Sequence, residues 1–344
     1  MGPPPSCAIV PLLALAIALL NAEDLTFSGR LDFVAQRSLA LRLEDGRVID
    51  ALLPSAPLAG AEALAAGDTV RMQCKKIRPS WDADASRYHF LEVTGIELVR
   101  HGAPERPEHF AALEGAADPT LEHARDVNLR YASQLPNYVA DETATRYTRD
   151  SDAHHWRHFD NIGDEITVRG AQAARQRIRR NGRPTHNAFE RLPGFKWTGG
   201  FGTEIRPIFD PHCPTHIERR EDSRAEVGPW VEYRFTSRAH ACFVPFYFEY
   251  ERYNPARSGQ IFLDTQGRLV RLVEVAGEFP SEFEFKARTE EVFWDDVKIA
   301  GASHLVPVKA RFVVVYSSGV QWRVEVAYTN YRHFEASTTI IPLQ

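Results

Sequence analysis

Sulfur is scarce in this chain. Its 344 residues include four Cys and two Met, against 20 Phe, 11 Tyr and 6 Trp. Few methionines among many aromatics argue against a helix bundle and favour strands. Positive charge is not in excess either: 41 Lys and Arg face 46 Asp and Glu, a formal net charge of −5. No global field therefore draws the chain to nucleic acid. Beyond the N-terminus no apolar run reaches the ~18 residues that a membrane helix needs. The nucleophile elbow G-x-S-x-G is absent. Gly199-Gly200-Phe201-Gly202 lacks the Lys-Ser/Thr pair of a phosphate-cradling loop and reads as a tight turn. No cofactor motif stands out.

The N-terminus does carry a signal. Residues 1–22 read MGPPPSCAIVPLLALAIALLNA, and Ala8 to Leu20 is apolar without a charge. A helix of that length is ~20 Å long, short of the ~30 Å hydrocarbon core. It suits the apolar region of a signal peptide, with cleavage after Ala22 and before Glu23 and Asp24. The alternative is a short retained anchor, because the segment before the apolar run has no Lys or Arg. Cys7 precedes that run, whereas a lipidated Cys would end it. The expected location is periplasmic or secreted. Cleavage leaves Cys74, Cys213 and Cys242, and in an oxidising compartment an odd count means one bridge and one spare thiol. Cys213 and Cys242 fall in one domain and are the expected pair.

The remainder reads as mainly β, of α+β class, in two domains. Residues 23–100 hold four or five strands, with an Asp-Gly hairpin at Glu44-Asp45-Gly46-Arg47. That density of strands suits a small closed barrel of the OB type. Residues 101–117 are rich in Pro, Gly, Ala and charge and read as a linker. Within 118–344, Asp118-Pro119 starts a helix with Asp as N-cap and Pro at the first position. Its stripe is Leu121, Ala124, Val127, Leu129, Tyr131 and Leu135, and Pro136 stops it. From Tyr138 onward, strand patterns joined by Asn181-Gly182, Gln266-Gly267 and Ser318-Gly319 make a long antiparallel meander, with Cys242 to Tyr253 as one strand. Such a meander closes as a barrel or curls over the helix as a half-barrel.

Residues 135–342 carry Leu135-Pro136-Asn137-Tyr138, Thr145-Arg146-Tyr147, GGFGTEIRPIFDP at 199–211, GQIFLDTQGRLVR at 259–271 and IAGASHLVP at 299–307. In that order they resemble a family of exported bacterial proteins with no assigned activity. The sheet pattern also resembles the lipoprotein-carrier fold. That resemblance implies a curved antiparallel half-barrel over helices, a fold that holds acyl chains. Neither resemblance supplies a catalytic residue. Pro207 falls inside the short helix expected before Asp210.

Three groups of residues invite chemistry. His154, His155 and His158 surround Trp156 and Arg157, without the Glu of a zincin, and read as a polar strand after a turn. His212, Cys213 and His216 with His240 and Cys242 could form a tetrahedral zinc site or a Cys/His nucleophile pair; a Cys213–Cys242 disulfide is the competing and leading expectation. Arg175, Arg177 and Arg179 fall on one face of a strand at period two and could contact an anion.

The leading functional expectation is an exported, non-enzymatic protein that binds an apolar or amphipathic, lipid-like ligand on a concave sheet. The first alternative is an interaction module of the envelope that docks a protein partner. The second is a hydrolase or metal enzyme built on Cys213, Cys242 and their neighbouring histidines.

Overall fold

The computed structural model describes residues 24–35, 38–54, 58, 63–77, 90–103, 118–134, 136–169, 172–197, 205–210, 213, 215–220, 230–240, 246–248 and 250–334. The chain divides into two compact units, Met1–Leu43 with Ile49–Pro104 and Glu44–Val48 with Glu105–Gln344.

The first unit contains β1 (Asp24–Val34), β2 (Ser38–Arg42), β3 (Val48–Leu52), β4 (Thr69–Ile77) and β5 (Phe90–Arg100). Their order is β3-β2-β1-β4-β5. A parallel pairing of β3 with β5, through Ala51 to Leu91 and Leu52 to Glu92, joins the two ends into a ring. The sheet is therefore mixed and has no free lateral edge where those residues pair. Leu31, Leu41, Ile49, Val70, Met72 and Leu91 fill its interior. Cys74 is a buried free thiol on β4, and burial pushes its pKa up to about 12.

The second unit is built on one eleven-stranded antiparallel sheet. Its strands are β6 (Tyr138–Arg149), β7 (Arg157–Arg169), β8 (Gln172–Arg180), β9 (Arg183–Pro184), β10 (Thr215–Arg219), β11 (Val231–Ser237), β14 (Ala256–Leu263), β15 (Leu269–Gly277), β16 (Phe285–Ile299), β17 (Ala302–Tyr316) and β18 (Gln321–His333). They run in the order β10-β11-β14-β15-β16-β17-β18-β6-β7-β8-β9. The intervening β12 (Phe246–Phe248) and β13 (Glu251–Tyr253) pair with each other as a short hairpin. The single strand expected over Cys242 to Tyr253 is thus broken, and 241–245 lie outside the described residues.

Tight turns join the meander. Gly267 and Gly319 take φ of +76° and +84°, the left-handed region that type I′ and bulged hairpin turns demand. The sheet curves without closing, because β10 and β9 stand at its two ends.

The helix α1 (Pro119–Gln134) lies on the face lined by alternate apolar residues. Asp118 caps it as expected: its Oδ1 accepts from Thr120 N at 2.9 Å and Leu121 N at 3.4 Å, and its Oδ2 accepts from Tyr233 OH on β11 at 2.8 Å. Leu121 and Ala124 enter the main core. A polar residue, Asn128, stands next on the same face and is 1% exposed. It donates to Ala124 O at 2.7 Å and Gly267 O at 2.8 Å, and accepts from Leu269 N at 2.9 Å, which fixes the helix to the β14–β15 turn. Tyr131 donates from its hydroxyl to Leu305 O on β17. The short α2 (Ile205–Phe209) contains Pro207 and contributes Ile205, Ile208 and Phe209 to the same core.

Candidate functional site

Alternation puts one side of every strand of the second unit inward, and several inward positions are charged. On β6 the inward row is Tyr138, Ala140, Glu142, Ala144 and Arg146; on β7 it is Asp160, Ile162, Asp164, Ile166 and Val168. The register sets Arg146 opposite Asp160 and Glu142 opposite Asp164.

The first pair is closed by its neighbours. Arg146 Nε and Nη2 donate to the two oxygens of Asp160, each at 2.7 Å, while Nη1 donates to Pro193 O at 2.8 Å and Phe195 O at 3.1 Å. Arg180 Nε adds a third hydrogen bond to Asp160, at 2.6 Å. Burial would raise the Asp160 pKa, but the hydrogen bonds from Arg146 and Arg180 prevail and hold it low.

The second pair opposes two carboxylates, an arrangement that repels unless a cation bridges it. Arg175 from β8 does so: Nη1 reaches Glu142 Oε1 at 2.5 Å and Asp164 Oδ2 at 2.9 Å. Trp197 Nε1 donates to Glu142 Oε2 at 3.2 Å, and the Phe189 ring lies 3.9 Å from the Arg175 guanidinium carbon. One cation against two carboxyls leaves a deficit. Burial pushes the Glu142 pKa up to about 7; Arg175 opposes this and Asp164 adds to it.

The third group joins β14, β15 and β16. Glu274 faces Glu290 directly across the β15–β16 ladder. Arg257 Nη2 donates to Glu274 Oε2, and Arg288 Nη2 to Glu290 Oε2. Glu290 is 2% exposed, Glu274 4% and Arg257 5%. This group has open hydrogen-bonding capacity on both its cations and one of its acids, whereas in the other two groups Asp164 Oδ1 alone is without a partner among the described residues. Arg257 Nε, Arg288 Nε and Glu290 Oε1 have no hydrogen-bond partner among the described residues. Burial raises the Glu290 pKa, countered by Arg288 and reinforced by Glu274.

An aromatic cluster borders this quartet. Phe285 is its hub, with ring centroids at 5.3 Å from Tyr316, 5.7 Å from Phe283, 6.2 Å from Phe248 and 6.3 Å from Phe246. Phe279 stacks on Phe283 at 5.6 Å with an interplanar angle of 2°. The Arg288 guanidinium carbon lies 5.2 Å from the Phe246 centroid and 5.4 Å from that of Phe312. Phe312 belongs to the main core, whereas Phe246, Phe248, Phe279 and Phe285 are only half-buried. Buried charge with unfilled valences beside half-open aromatic surface is the usual make-up of a site for an amphipathic molecule. We take the quartet and its aromatic border as the candidate site.

Those of the residues singled out from sequence that the structure describes lie elsewhere. Cys213 is disulfide-bonded, and a sulfur in a disulfide is neither a zinc ligand nor a nucleophile. Cys242 and His212 lie outside the described residues. His216 is an exposed residue of β10, 3.7 Å from Glu218, and His240 packs edge-on against Tyr253 at 5.0 Å. Among the described residues no three His, Cys, Asp or Glu side chains gather as a metal site would require. His154 and His155 are exposed in the turn before β7, and His158 contacts Asn161 at 3.3 Å.

The single arginine face of β8 does not form. Between Gly163 and Glu165 of β7 the register slips, with Gly163 opposite Arg179 and Glu165 opposite Gln176. Arg177 takes φ of +55° in the extra residue. Arg175 therefore points inward to its carboxyls, while Arg177, paired with Glu165 at 3.2 Å, and Arg179 are exposed.

No family model matches the chain, and no curated protein matches it. Among solved structures it is similar to a LolA superfamily protein from Nitrosomonas europaea, at 10% identity over 63% of this chain and 93% of that one, with a TM-score of 0.24. It is also similar to a DUF1329 family protein from Desulfovibrio piger, at 9% identity over 64% of this chain and 96% of that one, with a TM-score of 0.21. Likenesses this distant carry no functional argument, and the curved sheet stands on its own strand pairings.

Proposed function

We propose that this chain is an exported, non-enzymatic protein of the bacterial envelope whose second unit binds an amphipathic ligand at one end of its inward sheet face. The carrying observation is the Arg257–Glu274–Glu290–Arg288 quartet, with three unpartnered polar atoms next to half-buried Phe246, Phe248, Phe279 and Phe285. Among the described residues the other two charged groups of that face leave one polar atom open, Asp164 Oδ1, against three here, and the region under α1 is occupied by side chains of α1, α2 and Trp197. A ligand is therefore placed at the β12–β16 end and not beneath the helix. Export rests on residues 1–22, and the disulfide of Cys213 is assigned to Cys242 as its partner on the ground that both belong to the second unit.

The test is organic extraction and native mass spectrometry of protein purified from exporting cells. We expect a co-purifying amphipathic molecule that is lost when Phe285 is replaced by Asp in a chain that still melts cooperatively. Ligand-free protein that also fails to take up a fluorescent amphiphile would overturn the reading. A second reading, in which the first unit docks an envelope protein, draws on the exposure of Phe33 (52%) and Val99 (57%). Partner capture that survives Ser at both positions would remove it.

A further inference from the structure

We infer that the group received beside Glu290 is the terminal carboxylate of a long-chain monocarboxylic acid, whose tail runs over the aromatic cluster. This rests on the ligand-binding reading above and narrows it to a chemical class.

Strand register lays the site out in two adjacent rows. One row runs Arg257, Ala276, Arg288 and Val314; the next runs Gly259, Glu274, Glu290 and Phe312. Only the methyl group of Ala276 stands between the two arginines in their row. Each guanidinium spends an Nη2 on a carboxylate, through Arg257 to Glu274 and Arg288 to Glu290, and each keeps an unpartnered Nε–H. Glu290 keeps Oε1. These atoms limit what can bind. An arginine Nε only donates, so the ligand must accept at least twice. At Glu290 Oε1 one proton must lie between the ligand and the carboxyl, because two ionised acceptors repel. A carboxylate brought in with one proton meets all three atoms.

Charge gives the same result. Two guanidiniums against Glu274 and Glu290 sum to zero when both acids are ionised. When Glu290 holds a proton, the form that burial favours, the site carries one net positive charge, and one monoanion balances it. The bound proton belongs to the Glu290–ligand pair. Among the described residues the flanking positions of the two rows carry no charge: β17 presents Phe312 and Val314, β11 presents Phe235 and Ser237, and the β12–β13 hairpin presents Phe246. Size argues for an end group. Glu290 and Arg257 are at most 5% exposed, so a phosphodiester would have to bury whatever polar group lies beyond its phosphate. A terminal carboxyl has nothing beyond it.

The experiment is calorimetric titration of the full-length, delipidated protein with palmitic acid, its methyl ester, and vesicles of phosphatidylglycerol. The acid is expected to bind about tenfold or more tighter than the ester, the loss that follows from a missing charged hydrogen bond. Glu290→Gln, which retains a donor in place of the protonated carboxyl, is expected to keep that preference. Arg288→Met is expected to abolish it, so that acid and ester bind that variant alike. Equal binding of acid and ester, or tighter binding of the phospholipid, overturns the carboxylate assignment alone. Binding of none of the three overturns the ligand-binding reading with it.

Discussion

Among the described residues Arg146 is the largest fully buried side chain, and all of its hydrogen-bonding nitrogens have partners. Arg146→Met should cost ~3–5 kcal/mol, because it leaves Asp160 buried with Arg180 alone. Adding Asp160→Leu to that variant should restore much of the loss, and urea denaturation of the two variants checks both. At Glu142 the expected effect is on pH. Its carboxyl titrates near 4.5 when unfolded and at about 7 when folded. Between those values the folded state holds the extra proton, so stability falls as pH rises through that window. Asp164 and Glu290 are raised in the same direction. Thermal melts from acid to neutral pH should show the decline, and Glu142→Gln should flatten it; an unchanged slope would show that other groups carry it. None of these buried charges was recognised from sequence, because an alternating pattern assigns charged residues to the wet face. A signal was nevertheless there: Tyr138, Ala140, Glu142, Ala144 and Arg146 keep strict period two, and Asp160 and Asp164 keep it on the next strand.

Elements were more legible than side chains. The Asp118 cap, the Gly267 and Gly319 turns and most strands of the meander follow from local chemistry that tertiary packing had no reason to override. The failures have physical causes. One residue of left-handed backbone at Arg177 reverses which residues of β8 face inward, and period-two reading has no means of detecting a bulge. Asn128 was passed over because a helix stripe is sought among apolar residues, yet it makes three buried hydrogen bonds from the centre of that stripe. Asn128→Ala would strand Leu269 N–H and Gly267 O in the core and should cost ~2–3 kcal/mol. Asp118→Ala, at a half-buried cap, should cost ~1 kcal/mol. Chemical denaturation orders the two, and the reverse order would mean that the cap and not the latch holds α1 in place.

At the scale of the whole chain, a change of pattern was legible in the sequence: short strands with tight turns, then a Pro- and Gly-rich stretch, then a helix and a meander. The candidate site was not, since its rows come from four strands, bordered by a separate hairpin, whose register no local pattern specifies. Export yields a direct expectation. The chain produced in a bacterium should be recovered outside the cytoplasm with Glu23 as its first residue, and N-terminal sequencing decides it; a soluble cytoplasmic product that retains Met1 would refute it. The order of the large sheet bears on how such a chain is made. β6, the first strand of the second unit, lies between β7 and β18, the last, and Phe334 N donates to Asn137 O at 3.1 Å where the two ends of the unit meet. Every other pairing in that sheet can zip up as the polypeptide emerges, but this seam has to wait until synthesis is almost over. A sheet whose middle closes last folds slowly. Until that seam closes the sheet is two unjoined pieces, a state more easily undone for passage through a narrow translocation pore than the finished sheet.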